Sequence, residues 1–317
     1  MPVTLDPSAA AVMKAFREAN RPPYESMTPL EARAAQRLAR PVTQPDPPDI
    51  ASVEALTIPT EAAQIPARVY KPLTLAQADG LSAGLIFLHG GGWTIGDLDG
   101  YDVTCRSLAS EAQMMVISVE YRLAPEHKFP AAVVDSIAAT EWIANNAVQF
   151  GIDPNRLIVG GDSAGGNLSA VVAIHARDSG GPKLAGQALI YPATDFALSH
   201  PSHQDPETSV LLTHSMIRWF RDHYIADPAH YDDWRASPAR VTDLKGLPPA
   251  YVITAGGDPL RDEGDEYAER LGKAGVNVVH SHYPGQFHGF LTMGRLLPEA
   301  TLLIKEIGGW LRQFNKA

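Results

Sequence analysis

The sequence predicts an α/β fold: a mostly parallel central sheet with helices on both faces and a helical cap. Three observations predict it. Short apolar runs recur at residues 84–88 (GLIFL), 115–119 (MVISV), 157–160 (LIVG), 188–191 (ALIY) and 250–254 (AYVIT). Helix-length segments separate most of them, and buried β-branched runs that alternate with helices belong to parallel strands covered on both faces. The rhythm breaks once, between Tyr191 and Pro249, where more than 50 residues carry no strand signal of matching quality.

Taken in order, residues 9–19 (AAAVMKAFREA) and 29–40 (PLEARAAQRLAR) read as two short helices, the second amphipathic. A proline-rich linker, RPVTQPDPPD (40–49), is expected to follow. SVEALTIP (52–59) and IPARVYKP (65–72) read as an antiparallel strand pair at a sheet edge. Helices are expected over 98–113, 130–147 and 166–177, then a last strand over 277–283 and a terminal helix around 298–314. A structureless loop across 192–249 would be out of place in a compact domain. HSMIRWFRDHYI (214–225) therefore predicts a helical insertion above the sheet's carboxyl edge, where α/β ligand sites sit. The expected division is a catalytic domain from 53–192 and 246–317, and a discontinuous cap from 1–50 and 193–245.

Composition narrows the function. The 317 residues are 45% hydrophobic and 20% charged, enough to bury a large core. With 26 Lys plus Arg against 36 Asp plus Glu, the net charge is 26 − 36 = −10, which is no footprint for nucleic acid or anionic lipid. The single cysteine, Cys105, excludes an intrachain disulfide and any cysteine-cluster metal site, and on its predicted helix it reads as a small buried hydrophobe. Asp6, Lys14, Arg17 and Glu18 interrupt the N-terminal run, so no signal peptide is expected, and no apolar stretch reaches membrane-spanning length. The expectation is a soluble cytoplasmic protein, with a homodimer as the commonest assembly for such proteins although no patch in the chain argues for it.

The strongest chemical signal is Gly161-Asp162-Ser163-Ala164-Gly165, a G-x-S-x-G pentapeptide between a predicted strand and a predicted helix. In a chain with 26 glycines the pentapeptide alone is modest, and its ordinary alternative is a turn with an N-capping serine. The flanks decide for a nucleophile elbow, in which small residues two before and two after the serine let strand and helix approach. The second signal is His89-Gly90-Gly91-Gly92-Trp93, directly after the strand at 84–88. Glycines there let backbone N–H groups reach a developing oxyanion, and the pattern fits neither a Walker A loop nor a dinucleotide fingerprint. A nucleophilic serine needs a base and an orienting carboxylate. Of 11 histidines, His288 stands in a loop after the last strand, and Asp258 directly follows the strand at 250–254. The order Ser163, Asp258, His288 is that of the α/β-hydrolase triad. A metal at His280 and His282 is not expected, for want of a third ligand. The aromatic stripe Trp219, Phe220, Tyr224 reads as helix packing, with the pocket as its second use.

With these motifs the chain resembles the hormone-sensitive-lipase family of bacterial carboxylesterases. HGGGW (89–93), EYRLAPEHKFPAA (120–132), GDSAGGN (161–167), GGDPLRDEG (256–264) and FHGF (287–290) carry the resemblance over nearly the whole chain. It implies the α/β-hydrolase fold and a serine carboxylesterase that cleaves short- to medium-chain esters through an acyl-enzyme. Ser163 would be nucleophile, His288 general base and acid, and Asp258 the residue that holds the imidazole. Gly91, Gly92 and Ala164 would supply the oxyanion hole, while His89, Gly90, Gly161 and Gly165 would shape the two motifs. Trp93, Asp162, Tyr191 and Phe220 are the expected pocket residues. The implied partner is a small-molecule ester, with no metal or cofactor. The charges of Glu120–Glu126 are expected to form internal pairs. A deacetylase, lactonase or amidase on the same triad is the alternative activity. A non-catalytic receptor, as in the related plant gibberellin receptors, is disfavoured because His288 is kept.

Overall fold

The computed structural model describes residues 3–20, 22–75 and 80–315. Positions 1, 2 and 21 of the N-terminal stretch assigned to the cap lie outside those residues, as do 76–79, 316 and 317 of the segments assigned to the catalytic domain. Eight strands form one sheet: β1 (Ser52–Pro59), β2 (Gln64–Lys71), β3 (Ser82–Leu88), β4 (Met115–Val119), β5 (Ile152–Asp162), β6 (Leu184–Ile190), β7 (Ala250–Gly257) and β8 (Val278–Phe287). Their order is β1-β2-β4-β3-β5-β6-β7-β8. β1 and β2 run antiparallel at one edge, β2 is antiparallel to β4, and all later pairings are parallel.

The helices are α1 (Pro7–Glu18), α2 (Pro29–Thr43), α3 (Asp102–Ala112), α4 (Ala131–Asn145), α5 (Ala164–Ser179), α6 (His214–Tyr224), α7 (Arg261–Lys273) and α8 (Pro298–Arg312). Two hydrophobic layers sandwich the sheet. Ile86 and Leu88 of β3 pack on one side with Ala139 and Ile143 of α4, Leu168 and Val172 of α5, and Leu271 of α7. Leu85 and Phe87 point the other way, to Leu108 of α3 and Leu303 and Ile307 of α8. This alternation is the two-residue period of a strand, and burial on both faces is why β3 and β4 read as unbroken apolar runs. α5 is buried along most of its length, with Leu168, Val171, Val172 and Ile174 inside and the buried polar Asn167 and Ser169 hydrogen-bonded to backbone carbonyls.

The predicted linker over 40–49 begins later than expected. α2 continues through Pro41 to Thr43, started by a capping box in which Thr28 and Glu31 bond each other's backbone N–H. Pro41 lacks the N–H that would bond the Arg37 carbonyl, and the helix ends within three residues of it. The two N-terminal helices also part company. α1 buries Ala9, Val12 and Met13 in the layer with α3 and α8, whereas α2 buries Ala32 against Ile95, Phe220 and Leu260. The stretch from 193 to 245 holds α6 and short 3₁₀ turns at 201–203, 228–232 and 238–240. Among the described residues no helix is long and apolar enough to cross a membrane.

Candidate active site

Ser163 stands where β5 hands over to α5, with φ 55° and ψ −116°. That backbone is strained for an L residue, and such strain survives only where neighbours over-determine it. Here Ser163 N–H donates to the Ile190 carbonyl at 2.8 Å, and Asn167 N–H donates to the Ser163 carbonyl at 3.0 Å. A Cβ at Gly161 or Gly165 would run into the Leu88 carbonyl oxygen, so both positions need glycine for the close approach of β3.

β7 and β8 deliver the other two polar groups. His288 Nε2 lies 2.8 Å from Ser163 Oγ, and its Nδ1 lies 2.7 Å from Asp258 Oδ2. Asp258 is fully buried, and its second oxygen accepts the Leu260 N–H at 2.8 Å. Ser163, Asp258 and His288 thus form one connected chain from three strand ends, although 125 residues separate the serine from the histidine.

Opposite them, the loop after β3 turns through Gly91 at φ 116° and Gly92 at φ 56°, in the left-handed region that glycine alone enters freely. Among the described residues, none accepts a hydrogen bond from the N–H groups of Gly91, Gly92 or Ala164. His89 is fully buried, its Nδ1 2.8 Å from the Gly90 carbonyl and its ring stacked on Tyr121 at 4.4 Å. Burial pulls its pKa down to about 4, so the ring is a neutral strut. Tyr121 OH fastens the same turn by donating to the His89 carbonyl at 2.6 Å.

A cavity of about 470 Å³ opens over Ser163 and His288. α2 and α6 wall it together with Trp93, Phe196, Leu212 and Met216. Trp93 is a fixed wall because it stacks flat on Tyr224 at 4.7 Å. Phe220 lies against Gly92 so closely that any Cβ at position 92 would overlap its ring. Of the other expected pocket residues, one lies behind the site and one lines the cavity with its carboxylate already engaged. Tyr191 is buried behind His288, ring centroids 4.7 Å apart, because the chain must turn there before the insertion begins. Asp162 reaches the cavity wall, but its carboxylate is committed to the glycine loop: Oδ1 accepts the Gly90 N–H at 2.8 Å and Oδ2 the Tyr101 OH at 2.9 Å. Within the aromatic stripe of α6, Phe220 faces the pocket and Tyr224 packs.

Other groups singled out in the sequence fall outside the site. Arg122 grips Asp135 of α4, and Glu126 pairs with Arg33 of α2 at 2.7 Å, internal pairs that hold the loop after β4 to two helices. Cys105 is fully buried, which pushes its thiol up to about 12. His280 and His282 share the Thr254 hydroxyl at 3.1 and 2.9 Å. Tyr101, Tyr121 and Phe196 were not legible as parts of the site. Nothing local marks them, since each meets its partner across chain separations that only the folded sheet closes.

With this geometry in view, comparisons with known proteins converge. Residues 85–292 match a family model described as alpha/beta hydrolase fold. The carboxylic ester hydrolase LipN of Mycobacterium tuberculosis is 46% identical over 261 residues, covering 80% of this chain and 68% of that protein. The carboxylesterase NlhH of the same organism is 45% identical over 240 residues, 74% of each. An ester hydrolase from the Lake Arreo metagenome, solved with a derivative of bipyridine phosphonate, superposes with a TM-score of 0.92 at 40% identity, covering 98% of this chain and 99% of that one.

Proposed function

We propose, for a chain that belongs to the hormone-sensitive-lipase-like family of the alpha/beta-hydrolase fold and is a serine carboxylic ester hydrolase, a two-step acyl transfer on Ser163. In the first step Ser163 Oγ attacks the ester carbonyl carbon while His288 Nε2 takes the hydroxyl proton. Asp258 holds the imidazole in place and stabilises the imidazolium that forms. The tetrahedral oxyanion sits against the N–H groups of Gly91, Gly92 and Ala164. The carbon–oxygen bond to the alcohol then breaks, and His288 returns the proton to the departing alkoxide. In the second step water gives a proton to His288, attacks the acyl-enzyme and releases the acid with Ser163 restored.

The observation that carries this reading is the unbroken contact chain from Asp258 through His288 to Ser163, at 2.7 and 2.8 Å. The substrate class follows from the walls. A largely apolar cavity of about 470 Å³ favours short to medium acyl chains over long ones. In this reading α2 and the 193–245 insertion form most of the cap, while α1 packs mainly into the core and adds Phe16 to the cavity wall.

Ser163→Ala is expected to lower kcat on an aryl ester by several orders of magnitude and to abolish covalent labelling by a phosphonate. Hydrolysis at the wild-type rate in that variant would exclude Ser163 as nucleophile. A panel of aryl esters of rising acyl length, beside lactone, acetylated-sugar and amide substrates, separates the esterase reading from the alternatives on the same triad.

A further inference from the structure

We infer that Asp162 and Tyr101 are positioning residues that lock the oxyanion loop to the nucleophile elbow, and that the charge state of Asp162 sets part of the acid side of the pH–rate profile. This rests on the Ser163 mechanism proposed above. Asp162 is the residue immediately before the nucleophile, is 4% exposed, and has no cation among its hydrogen-bond partners. Its two oxygens accept from two donors on different segments, Gly90 N–H in the glycine loop and Tyr101 OH at the start of α3. Tyr101 OH also lies 3.0 Å from the Gly90 nitrogen, so the three groups close a triangle. A side chain at Gly90 would overlap the Asp162 carboxylate, which shows how tightly the two strand ends are joined. Gly90 precedes the two glycines whose N–H groups are proposed above to receive the oxyanion. Moving it moves both donors relative to Ser163, and oxyanion donors act only when placed for the transition state.

Burial raises the Asp162 carboxyl to about 6, against the opposing pull of Tyr101 OH and Gly90 N–H. The titratable groups around it are Tyr101 just before α3, Cys105 on α3, Tyr121 after β4, Tyr191 after β6, and His288, with His89 packed behind against the Tyr101 ring. Burial drives the three tyrosines and Cys105 far above neutrality and His89 down to about 4. None of those five exchanges a proton between about pH 5 and 8, where Asp162 does. Both carboxylate oxygens already accept, so a proton added to either breaks one side of the triangle. The carboxylate is intact above about 6 and is lost as pH falls through that value, and oxyanion stabilisation falls with it.

The test is a pH profile of kcat and kcat/KM, normalised to active sites counted by phosphonate burst titration. The count makes failure of this inference distinguishable from failure of the serine mechanism, because an unreactive Ser163 would show there first. Wild type should lose activity on the acid side more steeply than one ionisation allows. Asp162→Asn, which keeps an acceptor for Gly90 but sets a donor against Tyr101 OH and cannot titrate, should show a lowered kcat per titrated site at every pH and follow the single ionisation of the base. Tyr101→Phe removes a donor that favours the carboxylate and should move the acid limb to higher pH. Asp162→Ala should lower kcat by about 100-fold per titrated site with KM little changed. An Asp162→Asn profile superimposable on wild type, an unmoved limb in Tyr101→Phe, or full kcat per titrated site in Asp162→Ala would each overturn the inference.

Discussion

At the scale of single residues, small size is as important to this site as reactivity. Ser163 holds a φ of 55° because glycines on either side let the Leu88 carbonyl press against the elbow. Gly165→Ala would place a methyl group on a backbone oxygen, which no rotamer change relieves. Overpacking of this kind costs about 1–3 kcal/mol. The expected outcome is a lowered denaturation midpoint together with loss of ester hydrolysis, read by urea unfolding and a rate assay. An unchanged midpoint would show that the elbow has room to spare. The glycines of both motifs were legible from their spacing, because steric need at a tight turn is written in consecutive residues. The partners of Asp162 and His89 were not, because Tyr101 and Tyr121 reach them across the fold.

At the scale of elements, α6 supplies Met216, Ile217 and Phe220 to the pocket wall. Its Thr213 cap accepts the Met216 N–H at 3.1 Å and starts the helix over the sheet edge. From there Phe220 projects onto Gly92, and Tyr224 braces Trp93 from behind. Phe220→Ala should therefore enlarge the pocket at the glycine loop without touching Ser163, Asp258 or His288. The expected result is a shift of the kcat/KM ratio toward longer acyl chains by about 10-fold or more, given that one methylene is worth about 1–3 kcal/mol in an apolar pocket. An acyl-length profile parallel to wild type would place Phe220 outside the specificity wall. The stripe on this helix was visible in the sequence, but which of its aromatics faced the ligand was not. That choice depends on the roll of α6 against Trp93 and Phe196, which its own periodicity does not contain.

At the scale of the whole molecule, the insertion is tied to the catalytic sheet by a buried ionic contact. His203 Nε2 lies 2.7 Å from Glu263 Oε2, each side chain 1% exposed, and Glu263 also accepts the Thr194 N–H. Glu263 sits on α7, five residues after Asp258, so the contact links the start of the insertion to the loop that orients His288. Burial is the largest single influence and pulls His203 down, but Glu263, Asp195 and the Leu198 backbone together outweigh it and hold the imidazole above its ordinary value of 6.5, while burial raises Glu263 in turn. A raised folded value means that this contribution to stability is complete below 6.5 and is lost as pH rises through the raised value. Thermal stability is expected to fall on that alkaline passage, and His203→Gln to flatten it. A Tm profile unchanged in the variant would assign the slope to other groups.

The sequence by itself determined the layer architecture, the parallel strands, the two glycine motifs and the chain order of Ser163, Asp258 and His288. Each depends on local rules: periodicity, the conformational freedom of glycine, and where a strand must end. The tertiary structure decided that α1 buries Ala9, Val12 and Met13 in the core and adds Phe16 to the cavity wall that α2 shares, that Tyr191 backs His288, and that Asp162 braces the glycine loop from the cavity wall. Those assignments turn on contacts between residues far apart in the chain, 72 residues for Gly90 and Asp162, and no local pattern encodes which buried polar group will find which donor once the sheet has closed.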